Sequence, residues 1–142
     1  MVKISTVILI VLFALGAGYS LVSLVVPTIG LEGDFQAITG RSYKDVLPPE
    51  AVRVSVSHIR HMEVFAITTT IAGFFILFAG FRKAERWAWW AMLGVGVIAW
   101  GYGAVINVLN GNTFDSAVFL VGLVVFLVAL FLPVKKFMVR SN

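Results

Sequence analysis

The sequence predicts an all-α protein, a four-helix transmembrane bundle with a short extracytoplasmic cap. Three observations carry that prediction. The chain of 142 residues is 60% hydrophobic and only 13% charged, where soluble domains carry about 25% charged residues. Its mean hydropathy is +0.99. Its charges are gathered between long uncharged runs, each close to the roughly 20 residues that a helix needs to cross a hydrocarbon core of about 30 Å.

The first run covers residues 4–26, preceded by Lys3 and closed by Pro27. At about 1.5 Å per residue it reaches about 34 Å, enough to span a bilayer. A secretory leader is the competing reading. Lys3 would be its basic end, residues 4–13 its apolar core and Ala14-Leu15-Gly16 its cleavage site. The apolar run continues well past that point, so it is read as an uncleaved first span. Residues 27–57 make the outer loop and the approach to the second span. Glu32, Asp34, Arg41, Lys44 and Asp45 make the loop polar, and Gly30, Gly33 and Gly40 break it. Asp34 is placed to cap a short helix through Phe35, Ala37 and Ile38 that Gly40 ends.

Pro48-Pro49-Glu50 is a helix start, because proline suits the first turn and glutamate complements the positive end of the helix dipole. Nothing breaks the chain from there to Gly73, so one long helix runs from about Pro49 to Phe81. Its first third stands outside the membrane, and residues 58–81 form the second span. Residues 82–86 are a tight cytoplasmic turn. Residues 87–109 form the third span, with Gly94, Gly96, Gly101 and Gly103 as packing positions. Ala99 with Gly103, and Ala66 with Thr70, are small-residue pairs four apart that permit close helix contact. Asn110-Gly111-Asn112-Thr113 is a tight turn. Thr113 or Asp115 then caps the fourth span, residues 115–133, which Pro133 ends. Residues 134–142 are a basic cytoplasmic tail with Lys135, Lys136 and Arg140.

Orientation follows from the basic residues. With both termini cytoplasmic, Lys3, Arg82, Lys83, Arg86, Lys135, Lys136 and Arg140 all fall inside, while Arg41, Lys44, Arg53 and Arg60 lie in or beside the outer segment. Short loops weigh most in this bias, so the turn at 82–86 decides it. The reading is a multi-pass protein of the cell membrane. Arg82, Lys83 and Arg86 hold the inner surface, and Trp87, Trp89 and Trp90 form an interfacial aromatic belt. The net charge of +4 and pI of about 9.8 are matched to lipid headgroups and not to nucleic acid, because the basic residues sit beside apolar runs.

The stretch Gly80-Phe81-Arg82-Lys83-Ala84-Glu85-Arg86-Trp87-Ala88-Trp89 resembles a Gly-x-Arg-x-x-Glu-Arg-Trp-Ala-Trp turn found in small, uncharacterised prokaryotic four-helix membrane proteins, loosely similar to the DoxX-like group. The resemblance implies the helix count and a cytoplasmic turn between the second and third helices. It carries over no activity and no catalytic residue.

The absence of cysteine excludes disulfides and thiol redox chemistry for this chain. No phosphate loop, dinucleotide fingerprint or Ser–His–Asp arrangement is present. Counting depth along the helices places Glu63, Asn107 and Asp115 about 27–30 Å from the cytoplasmic end. His58 and His61 lie just above them, and Tyr19 of the first helix is at a comparable height. These six residues are the candidate polar site. His58 and His61 share a helix face and are the candidate metal ligands, but two histidines alone do not hold a metal ion. No cofactor is specified; a metal, a quinone or a lipid would suit such a site. No catalytic set converges, so the leading function is that of an accessory or structural subunit. Its partners are the lipid bilayer and other membrane proteins, or further copies of itself. The alternative is a membrane enzyme or ligand-binding protein that uses the polar site at the extracytoplasmic end. The short turns make the second, third and fourth helices successive antiparallel neighbours; the first helix has no assigned place.

Overall fold

The computed structural model describes residues 1–138, which form helices with no strand among them. Four helices are long and apolar enough to cross a membrane. They are α1 (Val2–Val25), α4 (Pro49–Ala79), α5 (Arg86–Leu109) and α6 (Thr113–Phe131). Between α1 and α4 lie α2 (Pro27–Thr39) and the single turn α3 (Tyr43–Val46). A 3-10 turn, Phe81–Lys83, joins α4 to α5, and α7 (Val134–Met138) follows α6. Arg140 lies outside the described residues. The protein is an all-α four-helix bundle of a multi-pass membrane type. Its two ends differ: the cap end carries α2 and α3, and the basic end carries the 3-10 turn and α7.

The residues at each helix boundary explain where it falls. The chain leaves helical geometry at Val26 (φ −125°, ψ 68°) and resumes it at Pro27. Proline disfavours the α conformation in the residue before it, while its own fixed φ suits the first helical position. The outer segment, expected as a loop, therefore begins as helix directly after the first span. Its helix is capped by the Val26–Pro27 break and not by Asp34, and it ends, as the glycine implied, in a left-handed Gly40 at φ 68°. The third span begins after an unusual turn. Gly80 ends α4, and its carbonyl accepts from both Lys83 N (3.0 Å) and Glu85 N (3.1 Å). A Cβ at Gly80 would stand 2.5 Å from the Trp87 ring and 2.6 Å from the Ala88 Cβ. Ala84 takes the left-handed conformation at φ 58°, a region that favours glycine.

The four long helices form a ring in the order α1, α4, α5, α6, with α6 closing on α1. The first helix thus has its place, between the second and fourth spans. The most extensive contacts are α5 with α6 and α1 with α4, so the bundle is two close pairs side by side. The α5–α6 pair shows how it is built. Phe126 of α6 lies where a Cβ of Gly96 would stand, and Phe119 lies against Gly103 in the same way. Reciprocally, Trp100 of α5 fills the notch left by Gly122 of α6. Along α5 these positions are spaced four and three residues, and along α6 three and four in the opposite sense. That is the heptad spacing of an antiparallel coiled seam, with rings as knobs and glycines as holes. Phe13 of α1 packs likewise against Gly73 of α4, a Cβ there standing 2.9 Å from the ring.

Within the bundle this seam uses Gly103 of the expected pair Ala99 and Gly103 but not Ala99. Ala99 is exposed and Gly103 buried. The working pair is Gly96 with Gly103, seven apart, whereas Gly94 and Gly101 have open space around them. Ala66 is likewise exposed, with Thr70 half-buried. Phe126 of the seam and, beside it, Leu9, Leu77, Phe81, Met92 and Leu130 are completely buried.

The basic end also departs from the expected tail. Pro133 is buried, and α7 turns so that Phe137 is buried with its ring centroid 4.8 Å from that of Phe81. Lys135 and Lys136, on the same short helix, remain exposed.

Candidate functional site

The cap end gathers most of the polar residues that lie beside the spans. Asn112 organises them. It is the N-cap of α6, and its Oδ1 accepts from the backbone N–H of Asp115 at 3.1 Å. Its Nδ2 donates to two carboxylates, to Asp115 Oδ2 at 2.7 Å and to Asp34 Oδ1 at 3.3 Å. Its backbone carbonyl accepts from the Ser116 hydroxyl at 2.6 Å. Asn112 is 2% exposed, and every hydrogen-bonding atom of its side chain is used. An amide with two donors on one nitrogen is the group that can hold two carboxylates from two different helices in register.

Asp34 is brought there by α2, which packs across α1 and α4 through the buried Leu31. Asp34 as a residue is exposed, but contact with α6 partly withdraws its carboxyl from water. That partial burial, and behind it the negative charge of Asp115, raise its pKa above the ordinary carboxylate value; the Asn112 amide only partly offsets them. Tyr19 of α1 lies within electrostatic reach of Asp115, Glu63 and Asp34. Hydrogen bonds therefore join α2 to the start of α6 through Asp34, Asn112 and Asp115; Tyr19, 65% exposed, and the half-buried Glu63 lie near them but form no hydrogen bond with them among the described residues.

The six residues expected at this site divide. Tyr19, Glu63 and Asp115 lie at the same end of the bundle, with Glu63 and Asp115 within electrostatic reach of Tyr19, but among the described residues no hydrogen bond joins them. Asn107 does not join them through its side chain, whose Nδ2 donates to the Gly103 carbonyl of its own helix at 2.9 Å. It contributes only its backbone carbonyl, which accepts from Asn112 N at 3.0 Å. His58 and His61 stay on the exposed face of α4. Glu63 is two residues, or about 200°, further round the helix from His61, so the half-buried Glu63 turns inward while His61 turns out. The His61 Nδ1 is hydrogen-bonded to the Ser57 carbonyl at 2.7 Å. Among the described residues, no group of three His, Asp or Glu side chains is arranged to hold a metal ion.

Asp34 and Asn112 are the two members that sequence reasoning misses. In the sequence Asn112 is only part of a turn, and Asp34 only a cap. The available signal is local: Asn112 and Asp115 have the spacing of a helix cap and its third residue. The partnership with Asp34, 78 residues away in the chain, leaves no trace in a periodic pattern.

The cap is held by a second small network. Glu32 accepts from Gln36 Nε2 at 2.8 Å and from the Ser42 hydroxyl at 2.9 Å, which ties α2 to the start of α3. Lys44 lies 5.9 Å from the centroid of the Tyr43 ring. Between the C-terminal part of α5 and α6, an apolar groove is lined by Ala104, Val105, Val108, Leu109 and Leu120.

At the basic end, Trp89 departs from the expected belt. It is 3% exposed, its Nε1 donates to the Leu130 carbonyl at 3.0 Å, and its ring packs edge-on against Trp90 and Phe131. It lies about 160° round the helix from Trp87 and about 100° from Trp90, which turns it into the bundle. Trp87 and Trp90 stay half exposed at 50% and 53%. The Trp87 indole donates to the Glu85 carboxylate. Arg82, Lys83 and Arg86 are exposed, and the Arg82 guanidinium lies 5.4 Å from the centroid of the Phe78 ring.

Comparison with protein-family models, with curated proteins and with solved structures gives no match.

Proposed function

We propose that this chain is an accessory or structural subunit of the cell membrane, with both termini in the cytoplasm, that acts by packing against other membrane proteins and lipid. One observation carries the reading. The interior is filled by side chains, and only 22% to 28% of the apolar window of each span is buried inside the bundle. The remaining residues of each window are partly buried or exposed, and large side chains such as Phe65, Phe75, Ile98 and Val121 are among those exposed. The outward surface is what the protein has to offer. Native mass spectrometry after cross-linking in the membrane, with photoreactive groups at Phe65 and Phe75, tests it. A stoichiometric protein adduct is the expected result; lipid adducts alone would overturn it.

Orientation has its own test. The chain has no cysteine, so a Lys83→Cys variant is a single-site probe. A membrane-impermeant thiol reagent is expected to leave it unlabelled on intact cells and to label it after permeabilisation. Labelling on intact cells inverts the topology.

A second reading is favoured by the Asp34–Asn112–Asp115 arrangement: a ligand-binding protein whose site lies at the cap end. A ligand bound stoichiometrically by the purified protein and lost in Asp115→Asn would support it over the first.

A further inference from the structure

We propose that the basic end is a binding surface for anionic phospholipid headgroups, assembled from four elements that the fold brings to one rim. Lys3 comes from the first turn of α1, Arg82 and Lys83 from the 3-10 turn, Arg86 from the start of α5, and Lys135 and Lys136 from α7. All six are exposed. Their gathering is a tertiary event. The 3-10 turn packs on α1 and α5, and α7 folds back on α5. The Phe137 ring, set against Phe81, anchors α7 there, so the two lysines are held on a docked helix.

The acidic residue nearest in sequence, Glu85, is the N-cap of α5 and accepts from the Trp87 indole. Its side chain makes no capping bond to the helix end and accepts only from that indole. Six exposed basic side chains on this rim thus face a single nearby carboxylate, Glu85, among the described residues. Two half-exposed indoles, Trp87 and Trp90, lie at the same level, where such rings settle among headgroups. Cations and indoles together at the boundary of an apolar bundle complement a phosphodiester bearing net negative charge, whose acyl chains run along the adjoining helix faces. Each basic side chain near an anionic surface contributes separately, so the effect adds along the rim. The proposal depends on the membrane reading of the bundle and not on the accessory-subunit reading, which could fail without affecting it.

The test uses the full chain in a neutral detergent. Native mass spectrometry counts retained lipid after titration with phosphatidylglycerol or with phosphatidylcholine, and the thermal midpoint is followed in parallel. The wild type is expected to retain phosphatidylglycerol in preference, with each charge removed weakening retention roughly fivefold. Retention should fall with added salt, by screening. The variant Lys83→Gln, Lys135→Gln, Lys136→Gln should lose the preference, while Lys44→Gln, Arg53→Gln at the cap end should keep it. Equal retention of the two lipids by the wild type, or equal loss in both variants, overturns the proposal. So does a thermal shift that inorganic phosphate reproduces at the same concentration, since the surface would then hold a free anion. If the triple variant melts like the wild type without lipid, its loss of lipid is a loss of binding. If it melts lower, a Phe137→Leu variant, which loosens α7 and keeps every charge, must retain more phosphatidylglycerol than the triple variant does.

Discussion

The ring-in-notch seam between α5 and α6 makes a sharp prediction, because one helix carries the same residue in two environments. Alanine is substituted singly at Gly94, Gly96, Gly101 and Gly103. At Gly96 and Gly103 the new methyl group would occupy space held by the Phe126 and Phe119 rings, whereas at Gly94 and Gly101 it meets nothing within 4 Å. In a helix, alanine is favoured over glycine by up to about 1 kcal/mol. Forcing a methyl group into a packed seam costs about 1–3 kcal/mol. The two terms oppose each other at Gly96 and Gly103 and leave a net loss of up to about 2 kcal/mol. At Gly94 and Gly101 only the favourable term survives, so these variants are neutral or slightly stabilised. The assay is reversible unfolding in mixed micelles of increasing denaturing detergent, read by tryptophan fluorescence and by circular dichroism. A Gly96→Ala, Phe126→Leu double variant adds a second check. The smaller side chain makes room for the methyl group, so the double variant should lose less than the sum of its parts. The reasoning is refuted if Gly94→Ala costs as much as Gly96→Ala, or if the two changes in the double variant simply add.

Three further outcomes are expected at the ends of the bundle. Trp89→Phe keeps most of the buried ring but removes the donor to the Leu130 carbonyl. It should cost about 1–3 kcal/mol in the same denaturation assay, with no comparable loss for Trp90→Phe at the exposed neighbour. Ala84→Gly should gain about 0.4–1 kcal/mol or somewhat more, because a left-handed backbone at φ 58° strains a residue that carries a Cβ and does not strain glycine; a lower midpoint would contradict it. For Asp34 the folded pKa lies above the unfolded value near 3.8. The folded state then binds its proton more tightly, so stability is highest below the unfolded pKa and declines as pH rises through the folded one. Asp34→Asn should flatten that decline and raise the thermal midpoint at neutral pH relative to the wild type. A steeper decline in the variant would reverse that sign.

What could be read from the sequence is governed by range. Helix count, the length of α4 and the basic turn after it rest on local quantities. These are hydropathy over about 20 residues, the stiffness of proline, and the spacing of cations along the chain. Depth counting brings Tyr19, Glu63 and Asp115 to one height because helical rise is constant. It cannot say which of them faces inward. Glu63 turns in while His61 turns out, although they are two residues apart. Asn107, at the right height, spends its amide on its own helix.

The fold of the cap depends on a detail that pattern reading undervalues. The polarity and glycines of residues 27–39 suggest a loop, but proline at the first position and a partner surface on α1 and α4 are enough for a helix. A short helix draws most of its stability from packing and little from propensity, so composition could not decide the matter.

The sequence by itself determined that this chain is an all-helical membrane bundle, because burying backbone groups in hydrocarbon leaves an uncharged run of that length almost no other structure to adopt. Tertiary structure alone decided that α1 sits between α4 and α6, which glycines receive rings, that Trp89 is core, and that Asn112 joins Asp34 to Asp115. Each of these is a choice among helix faces that are almost equally apolar. In such a chain hydrophobicity separates protein from water but does not distinguish one side of a helix from another, and only the shapes of facing side chains make that distinction.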